Sequence, residues 1–154
     1  MKKVLNIIRW IFFIPISYIG GCILSWLERY FTPIDIRDWT ICQLTYMLGT
    51  AIGFYWIAEK MIPSTPIRKV KIPLWLIFIG NAVPVTMWIV FFAIDITIKD
   101  YDALKIFEKY FYMLFGNVIL TVASVYLLCS EEGQYEIEKR SQELEYLMKE
   151  KENL

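Results

Sequence analysis

The sequence predicts an all-α membrane protein, a four-transmembrane-helix bundle with a charged helix at its cytoplasmic C-terminal end. Three observations carry this expectation. The 154 residues are 57% apolar, with a mean hydropathy of +0.45. The apolar residues fall in four uncharged runs: Trp10–Leu27, Trp39–Ala58, Ile72–Ile94 and Tyr110–Ser130. The charges, 21% of the chain, gather between those runs and after the last. The run Ile72–Ile94 is the longest. At about 1.5 Å per helical residue it reaches roughly 34 Å, enough to cross a hydrocarbon core of about 30 Å.

The first element begins with Lys2, Lys3 and Arg9 ahead of its apolar run. A basic start of this kind also opens signal peptides, and Ile19-Gly20-Gly21-Cys22 resembles a lipobox. The residues after Cys22 stay apolar, however, where a lipoprotein opens into a polar tether. An uncleaved first span is the better reading. Pro15 allows a local kink without ending the helix. Ser17, Gly21 and Ser25 recur every four residues and form a small-residue stripe suited to close helix packing.

Glu28 and Arg29 close that span. Thr32-Pro33-Ile34-Asp35 then reads as a helix start, with a capping hydroxyl, an early proline and an acid at the positive helix end. The second span repeats the small stripe at Thr45, Gly49 and Gly53, with Gln43 as its polar exception. Pro63 and Pro66 break the chain before a third span preceded by Arg68, Lys69 and Lys71. The third span carries Gly80-Asn81 at mid-length, and the fourth repeats the pair at Gly116-Asn117. The two asparagines fall at similar depth near the midplane. Neither amide can face lipid without losing its hydrogen bonds. Both are expected to point into the protein, with Gly80 and Gly116 admitting a neighbouring backbone. Between these spans, Asp100–Lys109 reads as a short interfacial helix.

The domain division follows: residues 1–130 form the membrane domain, with spans at about 10–27, 39–58, 72–95 and 110–130, and residues 131–154 form a cytoplasmic tail. In the tail eight Glu face four Lys/Arg. Pairs four apart (Glu136–Arg140, Lys139–Glu143, Glu145–Lys149) support a solvated helix continuing from the fourth span, with Gly133 as its bend. Ile137, Leu144, Leu147 and Met148 add a partial apolar stripe, a surface for self-association or for a partner.

Placing the N-terminus, the second loop and the tail on one side gathers 11 of the 16 basic residues there, against five on the other. The positive-inside rule puts both termini in the cytoplasm. Richness in isoleucine and lysine is that of a low-GC bacterial chain, and the expected location is the inner membrane.

Composition narrows the function classes. There is no histidine, and Cys22, Cys42 and Cys129 lie far apart without CxxC spacing. The commonest general acid/base and metal ligand is therefore missing. The cysteines read as small packing residues. A formal net charge of zero gives no reason to expect nucleic acid. No enzyme, metal or cofactor is expected, and Glu28, Asp95 and Glu108 read as acids at the outer interface. The expected function is that of a membrane scaffold or effector whose partners are the bilayer, a second copy, or a cytoplasmic protein bound through residues 131–154. The alternative is a homo-oligomeric pore or ion channel lined by Gln43, Asn81, Asn117, Thr121 and Ser124.

Overall fold

The computed structural model describes the backbone of residues 2–34, 40–98 and 102–152, with side chains at 95–98 and 102–110 among those outside the description. The described chain is helical throughout: α1 (Lys2–Phe31), α2 (Thr40–Met61), α3 (Pro66–Ile98), α4 (Asp102–Cys129) and α5 (Glu131–Glu152). Among the described residues, Lys3–Phe31 and Pro66–Phe91 are each long and apolar enough to cross a membrane. A third crossing joins them if Leu114–Cys129 and the helix bent from it by 77° count as one.

Long uninterrupted helices are what an apolar solvent demands, because a helix bonds its own backbone where no water can. Pro15, Pro73 and Pro84 lie inside α1 and α3 without ending them. Each proline lacks an N–H, so the carbonyl four residues earlier loses its helical donor. One element boundary differs from expectation, and another runs into residues outside the description. The Thr32 hydroxyl donates to the Glu28 carbonyl at 2.8 Å at the end of α1, while the helix start expected at Thr32-Pro33-Ile34-Asp35 extends beyond the described residues. The segment expected as a separate interfacial helix belongs to α4, which runs unbroken from Asp102, as a stretch without proline or glycine before Gly116 allows.

α1 and α2 pack antiparallel and very closely. Phe13 meets Ala58 and Ile62 at one end. Further along, a Cβ added to Gly53 would lie 2.9 Å from the Gly21 Cα. One added to Gly21 would lie 3.2 Å from the Thr50 carbonyl carbon. Only glycine lets the two backbones approach this far. α3 and α4 form a second antiparallel pair, with Val70 and Leu74 against Leu128. α2 joins the pairs: Met47 and Leu44 close over Gly116. Among the described residues, α1 makes no more than a glancing contact with α3 or α4.

The outside of the bundle is oily, with isoleucine, valine and phenylalanine exposed along α1 and α3. An apolar surface this extensive suits lipid and not water. Trp10 and Trp26 are both exposed on α1. Sixteen residues separate them, about 24 Å of helix. That spacing suits two aromatic belts at opposite membrane interfaces. Trp56 and Trp75 are exposed toward the Trp10 end, where the Lys60 ammonium sits 5.6 Å from the Trp56 ring centroid.

The glycine geometry predicts opposite outcomes for one substitution at two sites. Gly53→Ala forces two backbones apart and should lower the thermal unfolding midpoint in detergent by the equivalent of about 1–3 kcal/mol. Gly80→Ala meets nothing within 4 Å and should be neutral or mildly stabilising, since alanine favours helix by up to about 1 kcal/mol. Equal effects at the two sites would refute the close approach of α1 and α2.

Candidate functional site

The feature with most chemistry is the junction where α5 folds back across one end of the bundle. Ser130 builds the turn. Its hydroxyl donates to the Tyr126 carbonyl at 2.7 Å and accepts the Gly133 N–H at 2.9 Å, capping α5. Glu131 and Glu132 follow in the first turn, where the helix dipole favours acids. Tyr126 donates across the corner to Glu132. Gly133, expected as the bend, lies three residues beyond it. A Cβ there would run into Leu127 Cα at 2.6 Å, so glycine is needed for the close pass of α5 over α4.

From that corner α5 lies along α3 and the end of α2. Ile137, 2% exposed, inserts among Val70, Leu74 and Leu128, with Tyr55, Leu127 and Leu144 around it. The Lys71 ammonium donates to Gln134 Oε1 at 3.0 Å, and the Gln134 amide donates to the Leu128 carbonyl. The Arg140 guanidinium reaches Glu59 of α2 at 3.0 Å and Glu143 at 3.0 Å. Glu59 is only 2% exposed, and its Oε2 has no other partner. The hydrogen bond to Glu143, followed by the charge of Glu59, raises the Arg140 pKa against the opposing effect of partial burial.

This arrangement corrects the expected tail pairs. Arg140 does not bond Glu136; it turns toward the buried Glu59 carboxylate and takes Glu143, which Lys139 was expected to hold. A desolvated carboxylate demands a cation far more strongly than an exposed one does. Glu145 and Lys149 do pair, at 2.9 Å. Their mutual bond lowers the Glu145 pKa and raises that of Lys149. Both are well exposed, so the pair adds little to stability. The apolar stripe is split: Ile137 and Leu144 pack inward, while Leu147 and Met148 stay exposed.

The other singled-out residues fall into three groups. On the α1–α2 face, Ser17, Gly21, Gly49 and Gly53 are buried, Ser25 is half-buried and Thr45 is exposed. Thr45 instead bonds the Cys42 carbonyl at 2.8 Å, and Tyr46, 6% exposed, occupies the packed face. A four-residue spacing drifts about 40° per step on a helix of 3.6 residues per turn, which carries one end of such a stripe off the contact. Glu28 lies over Gly49, where a Cβ would come 2.6 Å from its Cδ. Asp95 and Glu108 lie outside the described side chains. The cysteines are not packing residues as a group: Cys22 and Cys129 are exposed and Cys42 is half-buried.

The intramembrane polar residues form the third group. Asn81 and Asn117, on different helices, line one cavity. The Asn81 amide donates to the Ile77 carbonyl of its own helix at 2.6 Å. Thr121 donates to the Asn117 carbonyl at 2.7 Å. Ser124 is buried at 4% exposure and Gln43 is half-buried. Neither glycine admits a neighbouring backbone as expected: nothing lies over Gly80, and Gly116 lies under the side chains of Met47 and Leu44. Among the described residues no three His, Cys, Asp or Glu side chains stand together as a metal site would need.

Sequence reasoning missed Glu59 as the anchor of α5. Its only signal was an acid one residue past an apolar run. The chain matches no family model, no curated protein and no solved structure. Its function is read from its own residues.

The clamp yields a double-mutant prediction. Arg140→Leu strands the Glu59 carboxylate and should weaken tail docking by about 2–3 kcal/mol. A fully buried pair would lose about 3–5 kcal/mol, but Arg140 keeps 41% of its side chain exposed. Adding Glu59→Gln should recover most of the loss. Hydrogen exchange of peptides covering α5 reads both: faster in the single variant, near wild type in the double. Unchanged exchange in Arg140→Leu would show that the ion pair does not hold the arm.

Proposed function

We propose that the protein is a non-enzymatic, multi-pass inner-membrane scaffold or effector with four spans and both termini in the cytoplasm. In this reading α5 is a docking arm for a cytoplasmic partner or a second copy. One observation carries the reading: α5 is clamped to the bundle by one face and leaves the other free. Ile137, Gln134 and Arg140 face the bundle, while Tyr135 and Tyr146, 65% and 71% exposed, face away among glutamates. Such an acid-rich face is repelled by anionic headgroups and suits a basic protein surface.

The packing also supports four crossings. The antiparallel pairs bring the start of α1, the α2–α3 turn and α5 to the same end of the bundle. That end carries the 11 basic residues counted from the sequence, which favours the cytoplasm.

Two measurements test the proposal. A periplasm-active reporter should work when fused near Pro33 or Asp102 and be silent at Ser64 and at the C-terminus. A photo-crosslinking residue placed at Tyr146 or Tyr135 should capture a cytoplasmic protein or a second copy, whereas one at Ile137 should capture only the protein's own α2, α3 and α4. An active reporter at the C-terminus would overturn the topology. Single-channel current from the purified protein, with no adduct at Tyr146, would replace the scaffold reading with the pore.

A further inference from the structure

The membrane part of the bundle holds a cavity of about 350 Å³ that the docking arm does not use. Its walls come from four helices, including Tyr18 of α1, Phe54 of α2, Gly80 and Asn81 of α3, and Asn117 of α4. Tyr18 lies eight residues, about 12 Å, from each of the exposed tryptophans at positions 10 and 26. The cavity is therefore at mid-membrane depth. Tyr18 and Gly80 are exposed at its rim, and they belong to the two helices that scarcely touch. Its mouth thus opens sideways between α1 and α3.

The polar groups inside are under-used. Asn117 is 8% exposed, and no described residue bonds its side-chain amide. Asn81 spends one N–H on the Ile77 carbonyl, leaving its second N–H and its Oδ1. Pro84 has removed the helical donor of the Gly80 carbonyl. An unanswered amide in hydrocarbon costs a few kcal/mol, roughly 1–3 by protein measurements. Gly80 itself has no packing reason to be glycine, since nothing lies within 4 Å of where its Cβ would be. Any larger residue there would begin to fill the space.

We propose that this cavity binds a small, neutral, membrane-soluble alcohol, entering from the bilayer between α1 and α3, with its hydroxyl held between Asn81 and Asn117. A hydroxyl both donates and accepts, as two amides with free N–H and C=O groups require. A bare ketone or quinone carbonyl would leave both amide oxygens unanswered. A charged headgroup has no counter-charge there, because among the described residues no ionisable side chain other than Tyr18 lines the cavity. The volume lies at the lower end of the range of about 300–1,000 Å³ for small-molecule pockets. The apolar walls, including Met47, Leu76 and Leu120, suit an aliphatic or isoprenoid body.

The test uses 3-azioctanol, an octanol carrying a photoactivatable diazirine, with the full-length protein in phosphatidylcholine vesicles. Adducts mapped by mass spectrometry should concentrate on Leu76, Ile77 and Leu120. Excess 1-octanol should displace them and excess octane should not. Asn117→Leu should cut labelling about tenfold, the loss of one hydrogen bond. Gly80→Leu should do the same by filling the space, with an unchanged unfolding midpoint that separates lost binding from lost folding. Adducts spread evenly over the lipid-facing surface, or indifferent to both substitutions, would overturn the site. Rapid modification of Gly80→Cys by a charged, membrane-impermeant thiol reagent, in a background without the native cysteines, would make the cavity an aqueous path and overturn it too. A disulfide from that cysteine to a second copy, without alcohol labelling, would assign the groove to a neighbouring subunit instead.

Discussion

Every feature of this structure answers to one constraint: within hydrocarbon, a hydrogen bond not made inside the protein is not made at all. The backbone meets it by staying helical through three prolines. Several hydroxyls meet it by bonding back along their own helices, as Thr50 does to the Tyr46 carbonyl and Thr86 to that of Ala82. Those bonds are local and cheap, and they demand nothing of a neighbouring helix. Helix association must then rest on packing, and α1 and α2 pack where Gly21 and Gly53 let two backbones nearly touch. Against so strict a rule, the groups that escape it mark places of interest.

Buried side-chain atoms without a partner include Ser17 Oγ, Tyr46 Oη, Glu28 Oε2 and Glu59 Oε2, and two places carry the argument furthest. At the end of the bundle, Glu59 is buried with one oxygen on Arg140 and the other unpartnered. This is the geometry of a latch more than of a strut. A buried ion pair contributes little net stability, yet losing either partner is costly. The arm is thus held in one register by Arg140 and Ile137, while the corner at Ser130 is built from local bonds that need no docked arm. Deeper in, the free amide of Asn117 is the second escape, and it faces open space.

Much of the architecture was legible in the sequence, and what was hidden was hidden for physical reasons. Uncharged runs of 18–23 residues fixed the helices, because length and hydropathy suffice once water is excluded. The paired Gly-Asn motifs pointed to a shared depth, since rise per residue converts position into depth, and the two amides do line one cavity. Side-chain partners were harder. Thr45 was placed on the contact face by its small size, yet helical drift turned it outward and put Tyr46 there. Arg140 was assigned to Glu136 by spacing alone, which cannot see a buried carboxylate on another helix. The cysteines were read as packing residues because they are small and apolar, but in a lipid-facing protein an apolar residue is equally at home on the outside. Periodicity marks an inside and an outside only when the two solvents differ.

The arrangement of the four helices explains why the cavity lies where it does. α1 is drawn onto α2 by glycine, and α2 joins both α4, through Met47 and Gly116, and α3, so that among the described residues α1 and α3 are the neighbours left without extensive contact. Sealing the bundle would require α1 to meet α3 at the level of Tyr18 and Gly80. α1 is instead held against α2 by the Gly21–Gly53 approach, where an added Cβ on Gly53 would lie 2.9 Å from the Gly21 Cα. A bulkier residue at position 80 would close the gap from the other side, and the chain has glycine there. Close packing secures α1 on α2, and the space left toward α3 has two asparagine amides behind it.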